Sequence, residues 1–62
     1  MMVSARKNVK VDGIQINKHD EGVLRGVQHC PELSHDDFYL VEFKDYGLLK
    51  VHKSDFDILN FG

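Results

Sequence analysis

The chain has little that would staple a fold. A single cysteine, a single proline and no tryptophan occur among its 62 residues. One thiol, Cys30, excludes an internal disulfide and suits a reducing compartment better than secretion. No apolar run approaches the roughly 20 residues that a membrane helix needs. The opening "MMVSARKNVK" has no apolar core of signal-peptide length. A cytoplasmic protein without membrane contact is the expectation. Neither sign of charge dominates, the formal net charge being −2, so the large basic excess usual in a nucleic-acid domain is missing. A chain this short buries only about 60% of its unfolded surface and stands on good packing alone.

What charge there is lies unevenly. Arg6, Lys7, Lys10 and Lys18 face only Asp12 in the first 18 residues, and the rest of the chain is acidic. The bland explanation is a solvated surface with accidental asymmetry. The sharper one is a local basic patch near the N-terminus.

The order of apolar and polar residues predicts strands throughout. In "VKVDGIQI", Val9 and Val11 alternate around Lys10, and Ile14 and Ile16 around Gln15. Asp12-Gly13 between them suits a two-residue type I′ hairpin turn, because both central residues need positive φ. A single bent strand with Gly13 as its bulge is the rival reading. "NKHDEG", residues 17–22, is a polar loop ending in glycine. In "VLRGVQH" neither parity is wholly apolar, and Gly26 suggests a bulge or bend that shifts apolar side chains between faces. "CPELSHDD", residues 30–37, is the longest loop, with room for one helical turn around residues 31–34.

"FYLVEF" is the strongest strand, with Tyr39, Val41 and Phe43 on one face and Phe38, Leu40 and Glu42 on the other. Lys44-Asp45-Tyr46-Gly47 turns the chain, and Leu49 and Val51 alternate inward after it. "KSDF" reads as a 3₁₀ turn that Ser54 or Asp55 caps. "DILNF" supplies a last strand burying Ile58 or Leu59. Helical periodicity never extends beyond about seven residues, and repeats and low-complexity runs are missing. The expectation is all-β: a small five-stranded barrel over residues 7–61, with a 3₁₀ turn before the last strand and a flexible segment at residues 1–6. Closure would also remove exposed strand edges.

The order of these features resembles the Tudor-like members of the small Src-homology-3-like (SH3-like) barrels. The residues carrying the resemblance are Glu21-Gly22, Arg25-Gly26, "FYLVEF", Asp45-Tyr46-Gly47, Val51 and Ser54-Asp55-Phe56, spread over residues 14–59. The resemblance implies a binding module. In Tudor domains an aromatic cage holds methylated arginine or lysine by cation–π attraction. Tyr46 matches the tyrosine of Asp-Tyr-Gly, and Tyr39 or Phe38 would be a second wall. Val23 and Leu24 stand where the family usually has an aromatic, and Leu48 where it has an asparagine. Related KOW-like barrels bind RNA or RNA-associated protein through their loops.

Other chemistry finds less support in the sequence. His19, His29, His35, His52 and Cys30 lack the paired short spacing of a zinc site. His29 and Cys30 are adjacent and point oppositely on an extended chain. As a nucleophile Cys30 would need a neighbouring base and an orienting group, for which His29, His35 and Asp36 are candidates by proximity only. No glycine-rich phosphate loop is present. No enzyme activity, metal or cofactor is expected.

The aromatics Tyr39, Phe43 and Phe56 belong to the core. Tyr46 sits at a turn tip, where function is often placed; the alternative is that it folds back and plugs the end of the barrel. A protein partner is expected to bind at Lys44, Asp45 and Tyr46, joined by Phe38 and Leu48 and by the loops at 17–22 and 30–37. The alternative is RNA or DNA binding through Arg6, Lys7, Lys10, Lys18 and Arg25, though the acidic "SHDD" loop would repel phosphate. A monomer or a weak homodimer joined at a strand edge is expected.

Overall fold

The computed structural model describes residues 1–29 and 37–59, and these residues form strands, turns and one 3₁₀ turn. The first strand is the main departure from the sequence reading. Residues 1–6, expected to be flexible, contain β1, Met2–Ala5, which is flanked by strands on both sides. Val3 and Ala5 point inward and are fully buried. "MVSA" shows the two-residue period only twice before Arg6-Lys7 interrupts it, too briefly to stand out as a strand.

β2, Val9–Val11, and β3, Ile14–Ile16, form the expected hairpin. Asp12 has φ 50° and Gly13 φ 81°, the positive pair that a type I′ turn requires. Ile16 is fully buried, while Val9, Val11 and Ile14 pack partly buried against the same core. The chain then returns through a tight turn. The Asn17 amide donates to Asp20 Oδ2 and the Asp20 amide to the Asn17 carbonyl, at 2.9 and 3.0 Å. The His19 amide donates to the Ala5 carbonyl, and the Ala5 amide to the Asp20 carbonyl, both at 2.9 Å.

β4, Glu21–Gln28, starts two residues earlier than the sequence suggested and takes in the end of the expected loop. Gly22 is buried there for a steric reason. A Cβ at this position would lie 2.4 Å from Val41 Cγ1 and 3.1 Å from Phe43 Cδ1. The expected irregularity is present: the register with the next strand shifts between Leu24 and Gly26, leaving Arg25 as the extra residue.

β5, Phe38–Phe43, buries Tyr39, Val41 and Phe43, as its alternation requires. β6, Gly47–His52, pairs back with Leu49 and Val51 inward. The 3₁₀ turn follows at Lys53–Asp55. Neither Ser54 nor Asp55 caps it with a side chain; backbone groups close it instead, the Phe56 amide donating to the Lys53 carbonyl. β7, Phe56–Leu59, buries Phe56, leaves Leu59 half-buried and leaves Ile58 exposed.

The main sheet runs β6-β5-β4-β1-β7, and β2-β3 forms a second, two-stranded sheet. Among the described residues hydrogen bonding leaves both sheets open, with β6 and β7 at the edges of the larger one. The β2–β3 hairpin lies toward β6 and drives Ile16 into the interior. Val3, Ile16, Val41 and Val51 are the largest fully buried side chains. Each such side chain contributes on the order of 1.5–3 kcal/mol, an upper bound given a partly collapsed unfolded state. No helix among the described residues is long and apolar enough to cross a membrane. The helical turn expected around residues 31–34 and the end of "DILNF" lie outside the described residues.

Candidate functional site

The β5–β6 turn is built for rigidity. Gly47 has φ 79°, a conformation costly for other residues, and Phe43 pairs with Gly47 across the hairpin base. Tyr46 is half-buried. Its ring lies 5.7 Å from the Phe43 ring at 55°, and Phe43 in turn lies 6.0 Å from Phe56 at 57°. Both are tilted aromatic contacts of favourable geometry. A chain of rings therefore runs from the turn into the core. Tyr46 partly folds back over the interior and still presents an edge at the surface.

Lys44, Asp45 and Tyr46 share a shallow cleft of about 100 Å³ with Asp20, Glu21 and Phe43. The structure thus places the turn next to Asp20 and the start of β4. Leu48 is 59% exposed. It pairs with Glu42 and so points to the outer face of the sheet, beside the turn.

Phe38 is placed elsewhere. It stands at the other end of β5 and pairs with His52, roughly 16 Å from Phe43 at the usual strand rise. Its ring lies 4.7 Å from the His52 ring, and Lys50 Nζ sits 4.3 Å above it. The five expected contact residues therefore divide into a corner (Lys44, Asp45, Tyr46, Leu48) and a separate aromatic–cation cluster around Phe38. Tyr39, the other candidate cage wall, is buried in the core.

The expected basic surface is dispersed and largely neutralised. Arg6 donates to Asp57 Oδ1 from Nε and Nη2, at 3.0 and 2.5 Å. That hydrogen bond, reinforced by charge attraction, raises the Arg6 pKa and lowers that of Asp57. Lys7 Nζ lies 3.4 Å from Asp55, and Arg25 Nε 2.7 Å from Glu42. Of the expected cations, Lys10 and Lys18 alone lack an ion pair among the described residues. The Lys18 amide donates to Asn8 Oδ1 at 2.7 Å.

His29 Nδ1 lies 2.6 Å from Asp37 Oδ1, and Lys53 Nζ lies 3.8 Å from Asp37 Oδ2. Among the described residues no three His, Cys, Asp or Glu side chains are grouped to hold a metal. Cys30, His35 and Asp36 lie outside those residues, as does most of the 30–37 loop.

One feature has no signal in the sequence. A cleft of about 480 Å³ opens where Tyr39, Phe56 and Ile58 meet, rimmed by Arg6, Asp57 and Lys53. Its walls come from the end of β1, from β5, from the 3₁₀ turn and from β7, and no local motif brings these together.

No family model, no curated protein and no solved structure matches the chain.

Proposed function

We propose that the chain is a non-catalytic binding module of the SH3-like, Tudor-like kind, and that it engages a protein partner through the corner made by Lys44, Asp45, Tyr46 and Leu48. The barrel reading draws support from the bulged β4, shared between β1 and β5, and from the 3₁₀ turn just before the last strand. The β2–β3 hairpin, which packs toward β6 and adds Ile16 to the core, is compatible with the same reading.

The observation that carries the reading is the seating of Tyr46. Its ring is fixed against Phe43 while part of it stays exposed, and the exposed Leu48 follows two residues later on the outer face of β6. A pre-oriented aromatic loses little conformational entropy on binding, and such residues are common interface anchors. Asp45 and Lys44 flank it with opposite charges that set the orientation of the partner.

The experiment is capture of partners from the native host, identified by mass spectrometry and repeated with Tyr46→Ala and Leu48→Asp. Each variant should weaken capture by about tenfold or more, as expected for an anchor and its neighbour. Leu48→Asp leaves the core untouched, so it reports on the surface even if Tyr46→Ala loosens the fold. Equal capture by wild type and both folded variants refutes the corner.

A nucleic-acid surface would need the N-terminal cations, and Arg6, Lys7 and Arg25 already have carboxylate partners. Titration with a generic oligonucleotide at low salt tests that alternative directly.

A further inference from the structure

The larger cleft and the outer edge of β7 lie together, and their chemistry points to a ligand that the corner does not. The Arg6 amide donates to the Asp55 carbonyl at 2.8 Å, and the register pairs Ala5 with Phe56, Ser4 with Asp57 and Val3 with Ile58. In an antiparallel pair the hydrogen-bonded residues alternate. Asp55, Asp57 and Leu59 therefore direct their backbone groups toward β1. The Ile58 amide and carbonyl and the Phe56 carbonyl point the other way, to the edge. No strand among the described residues flanks β7 on that side.

The side chains agree with the backbone. Phe56 and Ile58 share a face with Ala5 and Val3, the buried face of the sheet. Ile58 is nonetheless 46% exposed, because the cleft between it, Tyr39 and Phe56 is open. A strand laid beside β7 would place the residues opposite Phe56 and Ile58 on that same face, above the cleft.

We propose that β7 is a docking edge for an extended segment of another protein, which adds as a strand and seats an apolar side chain between Tyr39, Phe56 and Ile58. Outward-facing amide and carbonyl groups are matched by another extended backbone, and the cleft supplies selectivity for alternate side chains. Arg6, Asp57 and Lys53 at the rim favour polar residues at the positions between. A second copy of this chain fits less well. Its Phe56 is committed to its own core, so it would offer only Ile58. A four-residue edge also buries far less than the roughly 1,200 Å² of a stable interface.

The test uses the folded chain and the synthetic peptide acetyl-Thr-Val-Thr-Leu-Thr-Val-Thr-amide, followed by amide NMR. Resonances of Phe56, Ile58 and Tyr39 should shift on titration, and exchange of the Ile58 amide should slow at least tenfold at saturation. The same peptide N-methylated at alternate residues keeps its side chains but cannot pair, and should not bind. Ile58→Pro removes an outward amide without touching the β1 ladder, so the variant should fold and lose the peptide. Tyr46→Ala should still bind it, which separates this edge from the corner.

Several results would overturn the proposal. These are no shift at about 1 mM peptide, equal binding of the N-methylated peptide, or an Ile58 amide already protected without peptide. A doubled mass in the absence of peptide, lost in Ile58→Pro, would assign the edge to a second copy instead.

Discussion

The corner at Lys44–Leu48 and the cleft beside β7 are both partly apolar surfaces at the rim of one small core, yet they are assembled in opposite ways. The corner comes mostly from five consecutive residues, and a single glycine at positive φ sets its shape. The cleft comes from residues as far apart as Arg6 and Ile58. Local chemistry makes the first, and chain topology makes the second. A surface of the first kind is open to inspection before folding is known; one of the second kind exists only after β1 and β7 have paired.

The largest expected effect breaks the support beneath the corner. Gly22→Ala forces a methyl to within 2.4 Å of Val41 Cγ1. Overpacking of this kind costs about 1–3 kcal/mol, read as a lower urea midpoint with an unchanged m-value. The disturbance should centre on Val41 and Phe43, under the corner. Equal disturbance at Ile58 would show that the two regions are coupled.

A smaller effect is expected at the corner itself. Tyr46→Ala removes a half-buried ring and its tilted contact with Phe43, and should cost about 1 kcal/mol. A loss large enough to unfold the chain would make Tyr46 a core residue and leave the corner without an anchor.

The smallest effect concerns the rim of the cleft. The Arg6–Asp57 bond lowers the pKa of Asp57, so the folded chain holds that carboxylate ionised to lower pH than the unfolded chain does. Its contribution is complete above the ordinary aspartate value of about 3.9 and fades as pH falls through the lowered one. Both side chains are exposed, so the change should be slight and should shrink further with added salt. Acid titrations of the wild type and Asp57→Asn, with stability followed by thermal melts, should diverge above that range and converge below it. Divergence that persists at high salt would mean that the pair is shielded by something packed over the cleft.

Much of the fold was legible in the order of residues. Asp12-Gly13 specified its turn, because few other pairs tolerate two positive φ values. Tyr39, Val41 and Phe43 declared the buried face of β5 by simple alternation, and Gly26 announced the bulge in β4. Other parts were not legible for equally physical reasons. β1 is too short to show a period. The Lys53 amide at the start of the 3₁₀ turn is taken by the distant Asp37 carbonyl, a partner that no local signal shows. Phe38 joined the corner only on grounds of residue type, and the five intervening residues of an extended strand carry it far away.

Sequence by itself determined the β2–β3 hairpin, the extended β5 and β6 and the side chains they turn inward, since these depend on dihedral preference and on a period of two. Tertiary structure alone decided that β1 lies between β4 and β7, that Arg6 meets Asp57, and that Ile58, on the outermost strand among the described residues, lines a cleft. Those facts rest on pairings between distant segments, and the stability of such a pairing belongs to the whole packed core rather than to either strand.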